Sequence, residues 1–198
     1  MRPTAVYYWL GSSFTLLEYL SVLSTACNTS CQKIEVYFDE RDPPTGRHWR
    51  ALADIAGVEK LPASGLVGEY LRLHAPSLSI DQLDARTVSD VFRYCRLFDK
   101  GGIWFDFDTF QVRDVFALGS TLDLLAGWED ETWAAIGVLG FRHGHPLLAS
   151  LLAELPERIR SEGIEDRGVV GPRWFTQVIR RMGYASVVLP RRYFYPVH

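Results

Sequence analysis

Two aspartates separated by one residue, Asp106 and Asp108, are the side chains in this sequence best suited to chemistry. They close the stretch SDVFRYCRLFDKGGIWFDFD, residues 89–108, in which a helical apolar pattern stops at Gly101 and Gly102 and a two-residue alternation begins. On a strand, the two acids share one face and lie roughly 7 Å apart at the backbone. Two carboxylates at that spacing suit a hard divalent cation that carries phosphate.

The helix before the two glycines adds a second polar pair. Ser89 is predicted to cap this helix, and Asp90 and Arg93 are three residues apart, so they share a helix face. Taken alone, Asp90 and Arg93 could be a surface ion pair, and the Asp-x-Asp could be a strand end with two solvated acids. The ordered series of helix, double glycine, aromatic strand and paired acids favours a functional interpretation.

The elements around this motif alternate between strand and helix. We predict strands at 4–10, 33–39, 58–61, 103–108, 122–128, 133–141 and 186–189, and helices at 14–26, 49–56, 89–100, 145–162 and 171–182. Pro156 is expected to kink or divide its helix. Residues 63–86 are less regular, and a short helix and a mobile loop are both open alternatives there. Such alternation predicts an α/β fold, in one domain spanning 1–198, with a mainly parallel sheet and helices on both faces. Ligands of such sheets lie beyond the carboxyl ends of the strands, where the acids are expected.

Composition excludes several classes of function. The 198 residues carry a net charge of −3 without a basic run, which argues against a nucleic-acid partner. No apolar span is long enough for a transmembrane helix, and no secretion signal is evident, so a cytoplasmic location is expected. Cys95 falls on the apolar face of its helix and is expected in the core. Cys27 and Cys31 could form a local disulfide or a metal pair, although no second pair would complete a zinc site.

Residues 89–108 resemble the core of the DXD-containing glycosyltransferases, the sugar-binding family of yeast-type α-mannosyltransferases, capsular polysaccharide transferases and, more distantly, clostridial glucosylating toxins. The shared pattern is a small residue, Asp, two or three intervening residues, Arg, an apolar helix, Gly-Gly, an aromatic strand and Asp-x-Asp. Weaker similarities follow in family order: YWLG at 8–11, GHP at 144–146, GP at 171–172 and FYP at 194–196. The resemblance implies a GT-A-type, Rossmann-like fold.

The resemblance also implies an activity and roles for residues. The activity is metal-dependent transfer of a hexose, with retention of anomeric configuration, from a UDP-hexose or GDP-mannose donor to a hydroxyl of a glycan, a lipid-linked sugar or a protein. Asp108 would be the main ligand of Mn²⁺ or Mg²⁺. Asp106 would contact the ribose, the sugar or the water shell of the metal. Asp90 and Arg93 would bind the sugar hydroxyls and help hold the donor.

Other positions remain open between function and structure. Tyr8 and Trp9 could stack on the nucleobase or belong to the core. Gly171 and Pro172 could present backbone N–H groups to the acceptor or phosphate, or could simply begin a helix.

The sequence departs from the family at two points. Ala134 or Ala135 stands where many relatives carry an Asn. Many relatives also continue beyond FYP to a tail that completes the metal shell, a role that His198 would have to fill here. The alternative function is a catalytically silent nucleotide-sugar-binding module, and a metal-dependent nucleotidyl or phosphoryl enzyme is a third possibility.

Overall fold

A computed structural model describes residues 3–63, 65–119, 123–163 and 169–195. In these ranges one six-stranded sheet has the order β3-β2-β1-β4-β6-β5. The strands are β1 (Thr4–Trp9), β2 (Lys33–Phe38), β3 (Val58–Pro62), β4 (Gly102–Phe105), β5 (Leu124–Leu125) and β6 (Val138–Phe141). Strands β1 to β4 are parallel, while β6 runs antiparallel to both β4 and β5. The expected mixed, mainly parallel sheet is confirmed.

Helices cover both faces of this sheet, as predicted. They are α1 (Leu16–Asn28), α2 (Arg47–Ala51), α3 (Leu66–His74), α4 (Ala85–Lys100), α5 (Val115–Gly119), α6 (Pro146–Glu162) and α7 (Pro172–Arg181). Alternate strand residues divide the core: Tyr7 and Phe105 pack with α1, α2 and α5, whereas Tyr8 and Trp104 pack with α3, α4, α6 and α7. This two-sided burial holds β1 and β4 at the centre of the molecule.

The helix that carries Asp90 and Arg93 begins earlier than predicted. Asp84, not Ser89, is its N-cap, and the Asp84 carboxylate accepts a hydrogen bond from Thr87 N at 2.7 Å. Ser89 lies inside the helix. Of the two alternatives for residues 63–86, the short helix is confirmed as α3, and the segment also contains the first two residues of α4. Helix α3 is short and becomes stable by burying one face against α4 and α6.

Several strand predictions were too long. Strand β4 ends at Phe105, so the two acids follow it in a turn in which Thr109 N donates to Asp106 O at 3.1 Å. The segments 122–128 and 133–141 shorten to β5 and β6, and residue 122 lies outside the described residues. The strand at 186–189 is wrong: Ala185–Val187 is a 3-10 turn, and the backbone of Leu189 pairs only with Gly127. A strand needs a partner along its whole length, which local sequence does not reveal.

Two helix predictions also need correction. Of the two outcomes expected for Pro156, division of the helix is wrong, because α6 continues through the buried proline to Glu162, and the kink stays a prediction. The missing proline N–H removes only one bond from the ladder, and packing of the buried face offsets that loss. The helix predicted at 49–56 is α2 followed by a 3-10 turn, Leu52–Asp54.

Helix α4 is fixed to the sheet by a buried ionic network. Arg96 donates to Glu35 Oε2 from Nε at 3.1 Å and from Nη2 at 2.5 Å, and its Nη1 donates to Gly101 O at 3.0 Å. Tyr37 OH also donates to Glu35, at 2.9 Å. Because β2 lies on the far side of β1 from β4, this network joins α4 to a strand that is not adjacent to β4.

Two further expectations concern the cysteines and membrane-spanning helices. Cys95 is buried in the core as expected, and Cys27 and Cys31 are free thiols, so the local disulfide is not formed. Among the helices of the described ranges, none is both long and apolar enough to cross a membrane.

Candidate active site

A cavity of about 480 Å³ opens beyond the carboxyl ends of β1 and β4. Its walls come from six parts of the chain: Tyr8 and Trp9; Leu17 and Glu18; Asp84, Arg86, Thr87, Ser89, Asp90 and Arg93; Asp106, Phe107 and Asp108; Ile136; and Val170 and Pro172. Most of the residues singled out in the sequence therefore meet in one place. Gly171 is buried beside the wall as the N-cap of α7, and His198 lies outside the described residues.

Arg93 connects the helix to the acids. Only 3% of the residue is exposed, and its Nη2 lies 2.9 Å from Asp106 Oδ1 and 3.4 Å from Asp90 Oδ1. Its Nη1 donates to Ile136 O, and the guanidinium carbon lies 4.6 Å from the centre of the Trp104 ring. Within the described ranges, Nε has no hydrogen-bond partner. The surface ion pair considered from the sequence is wrong, because this arginine is inside the protein.

Asp106 is oriented by donors on one of its two oxygens. Oδ1 accepts from Arg93 Nη2 and from Trp104 Nε1, the latter at 2.7 Å. The alternation predicted for this stretch explains the second bond, since Trp104 and Asp106 project from the same face. The backbone N–H of Asp106 donates to Gly137 O at 2.8 Å, which extends the pairing of β4 with β6 by one bond. Burial raises the pKa of Asp106, and the Arg93 cation opposes that rise.

Asp90 lies one helical turn before Arg93, with 14% of its side chain exposed. Burial raises the pKa of Asp90 to about 6. The Arg93 cation lowers it, whereas the negative charges of Asp106 and Asp84 raise it. The carboxylate of Asp90 therefore forms near neutral pH, directly on the cavity wall.

The acids fit a divalent cation that is shared with a phosphate ligand. Asp108 is exposed on the cavity wall, and Asp106 lines the same wall. In the described part of the chain, His, Cys, Asp and Glu side chains nowhere form a group of three able to hold a metal. Mg²⁺-type sites commonly use one or two carboxylates, with waters and substrate phosphates completing the shell. Asp108 and Asp106 would therefore suffice for a site that fills when substrate binds.

The two aromatic residues of β1 belong to the core and to the cavity at once. Tyr8 stacks on Phe92 with ring centres 4.3 Å apart, and Trp9 contacts Phe107 edge-on at 5.4 Å. Both also line the cavity, so each side chain has one face in the core. Trp9 Nε1 is buried and has no partner in the ranges that the structure describes.

Three charged residues of the wall have no functional signal in the sequence: Glu18, Asp84 and Arg86. Glu18 Oε2 accepts from both N and Oγ1 of Thr15, each at 2.6 Å. This capping box is visible in the sequence as Thr15-x-x-Glu18, but it predicts only a helix start. Asp84 and Arg86 lie at the start of α4, and they join the cavity wall because this helix begins at residue 85 and not at residue 89. His145 is the N-cap of α6, and its Nδ1 accepts from Leu147 N at 3.2 Å.

Comparison with known proteins shows which solved structures share this fold. No family model matches the chain, and no curated protein sequence does. Among solved structures, the PaToxG glycosyltransferase matches with a TM-score of 0.62 and 16% identity over 90% of this chain and 68% of that one. The UDP-bound glycosyltransferase domain from the YGT toxin matches with a TM-score of 0.61 and 8% identity over 94% of this chain and 78% of that one.

A third structure extends the likeness. The glycosyltransferase GlyE of Streptococcus pneumoniae TIGR4 matches with a TM-score of 0.52 and 10% identity, and the match spans 97% of this chain but 46% of GlyE. At these identities the likeness is one of fold. The GT-A-type fold expected from the sequence is confirmed, whereas membership of the DXD sugar-binding family stays a prediction.

Proposed function

We propose that the protein is a metal-dependent glycosyltransferase that moves a hexose from a nucleoside-diphosphate sugar to a hydroxyl acceptor. One observation carries the proposal: Asp90, Arg93, Asp106 and Asp108 converge on a single cavity at the carboxyl edge of a GT-A-type sheet. The known structures of similar fold include glycosyltransferases, one of them with UDP bound. Fold alone does not determine activity, so the proposal rests on the residues of the site.

The charge of the cavity supports a requirement for metal. Five carboxylates but only two arginines line it, and one of these, Arg93, is already engaged with Asp106. A diphosphate would be repelled by this wall unless a cation accompanied it. Asp108, with Asp106 beside it, would hold Mn²⁺ or Mg²⁺, and the bound cation would stabilise the charge that develops on the leaving diphosphate.

The remaining wall residues would hold the donor. Asp90, ionised above about pH 6, would accept hydrogen bonds from sugar hydroxyls, and Arg93 would fix Asp90 and Asp106 relative to one another. Tyr8 and Trp9 would contact the nucleobase with the ring surface that faces the cavity. The start of α7 at Gly171 and Pro172 would lie against the phosphate or the acceptor.

Retention of configuration is the stereochemistry we propose. A double-displacement enzyme needs a free carboxylate to attack the sugar. Of the five carboxylates of the wall, Asp90 and Asp106 are engaged by Arg93, Glu18 by Thr15 and Asp84 by Thr87 N, and Asp108 is the proposed metal ligand. This arrangement supports a front-face, donor-assisted transfer. An NMR time course of the product's anomeric proton tests it, because a product that first appears inverted would rule it out.

The decisive experiment is turnover of UDP-glucose, UDP-galactose, UDP-N-acetylglucosamine and GDP-mannose, each with Mn²⁺ or with EDTA. Asp108→Asn is the test variant, and Glu131→Gln, an exposed acid outside the cavity, is the control. Cleavage of one donor that needs Mn²⁺, is lost in Asp108→Asn and persists in Glu131→Gln would support the proposal. Binding without cleavage would favour the silent module. Release of a hexose 1-phosphate in place of the nucleoside diphosphate would indicate a nucleotidyltransferase.

The acceptor is the least constrained part of the proposal. Glycan, lipid-linked and protein hydroxyls are the acceptor classes that we propose, and the cytoplasm is the proposed compartment. Adding each acceptor class to the cleavage assay distinguishes them, since the correct one should speed donor consumption and gain the sugar.

A further inference from the structure

Gly137 marks a point where two polar side chains converge. A Cβ placed on Gly137 would lie 3.2 Å from Asp106 Oδ2 and 3.3 Å from the hydroxyl of Tyr195. Such contacts are closer than those of most real Cβ atoms, so a side chain here would push one group or the other. The glycine therefore leaves room for the Tyr195 hydroxyl and the second oxygen of Asp106 to occupy neighbouring positions.

Tyr195 reaches this point from the C-terminal segment. Its N–H donates to Arg191 O at 2.8 Å, and its own carbonyl accepts from Arg191 Nε at 3.0 Å. The preceding ring, Phe194, packs so closely on Gly127 that a Cβ there would lie 2.5 Å from Phe194 Cδ2. A second close approach to glycine thus sets the position of the segment that carries Tyr195.

We propose that Tyr195 is a positioning residue for Asp106. The C-terminal segment would then hold the Asp106 carboxylate in place from outside the cavity. Tyr195 does not line the cavity, so it would act through Asp106 and not on substrate. The two donors Arg93 and Trp104 both reach Oδ1, which leaves Oδ2 as the oxygen that a neighbour on the Gly137 side can orient.

Burial and charge keep the Tyr195 phenol protonated. Burial raises the pKa of Tyr195, and the nearby negative charge of Asp106 raises it further. A neutral phenol beside the second oxygen of Asp106 adds no further negative charge to the acidic site. The proximity of the two groups to Gly137 is an observation of geometry, and its effect on a metal site rests on the proposed function.

The test uses Tyr195→Phe, which keeps the ring, and Gly137→Ala, which keeps the hydroxyl but fills the space. Tyr193→Phe is the matched control, because that tyrosine lies in the same segment and is exposed. The first measurement is the indole N–H resonance of Trp104 in metal-free, ¹⁵N-tryptophan-labelled protein, assigned with Trp104→Phe among the six tryptophans. The second is the affinity for Mn²⁺ in the presence of UDP, measured by calorimetry.

We expect Tyr195→Phe and Gly137→Ala to shift the Trp104 resonance and to weaken Mn²⁺ binding about tenfold, as is common when a residue that orients a metal ligand is lost. Tyr193→Phe should do neither. In turnover, the half-saturating Mn²⁺ concentration should rise while kcat at saturating Mn²⁺ stays near its original value.

An unmoved Trp104 resonance in folded Tyr195→Phe would overturn the proposal, as would an unchanged Mn²⁺ affinity. Should the unsubstituted protein neither bind Mn²⁺ nor cleave any donor, the proposed function has failed. The Trp104 resonance would still report whether Tyr195 holds Asp106.

Discussion

Replacing Arg93 by lysine should lower activity about thirtyfold while leaving the protein folded. The guanidinium reaches Ile136 O, Asp106 Oδ1 and Asp90 Oδ1 together, and a single ammonium cannot reproduce that fork. Losing one charge-assisted hydrogen bond in a buried site costs about 2 kcal/mol. If that bond keeps the donor-binding acids in position in the transition state, losing the same free energy lowers kcat/KM about thirtyfold.

Arg96 offers a matched control on the same helix. It lies three residues after Arg93 and is equally buried, at 3% exposed. Its partners are Glu35, Tyr37 and Gly101 O, none of which lines the cavity. Arg96→Lys should therefore lower the free energy of unfolding by about 2 kcal/mol and leave kcat/KM per folded molecule within about twofold of its original value.

The assay pairs urea denaturation with steady-state donor cleavage at saturating Mn²⁺, and the activity is divided by the folded fraction. The reasoning is refuted if Arg96→Lys loses as much activity per folded molecule as Arg93→Lys. In that case the orientation of α4, and not the contacts of Arg93, would control turnover. It is also refuted if Arg93→Lys retains full activity.

Three further predictions concern pH, metal and packing. Because the pKa of Asp90 is raised to about 6, its carboxylate forms as the pH rises, so the donor KM should fall between about pH 5 and about pH 7, and Asp90→Asn should abolish this dependence. Ionising Asp90 also destabilises the folded protein. Asp90→Asn should therefore be more stable than the unsubstituted protein above about pH 6, and this advantage should shrink towards about pH 4, as measured by the free energy of unfolding. Mn²⁺ with UDP should raise the Tm; EDTA should reverse the increase, and Asp108→Asn should not show it. Gly102→Ala should lower the free energy of unfolding, measured with urea, by about 3 kcal/mol, because the new Cβ would lie 2.8 Å from Thr4 O at φ +115°. Gly144→Ala is the control: its Cβ would lie in open space at φ +66°, so the loss should be about 1 kcal/mol.

Local patterns in the sequence were enough to predict the helix and the strand that form the centre of the site. The apolar spacing of α4, the stop at Gly101 and the alternation of Trp104 with Asp106 all depend on neighbours within a few residues, so they could be predicted. The strand–helix alternation predicted the α/β class and both helix layers for the same reason. The start of α4 was misplaced because Asp84 is as good an N-cap as Ser89, and only the packing of the first turn distinguishes them.

What the tertiary structure decided were the contacts between distant parts of the chain. Nothing local shows that β6 inserts antiparallel beside β4, that Ile136 O meets Arg93, or that Tyr195 comes to Gly137 beside Asp106. The sequence by itself determined which side chains could do chemistry and which elements carry them. Their convergence into one buried, acidic cavity depends on strand pairing and core packing across more than a hundred residues, and that burial is what raises the pKa of Asp90 and Asp106.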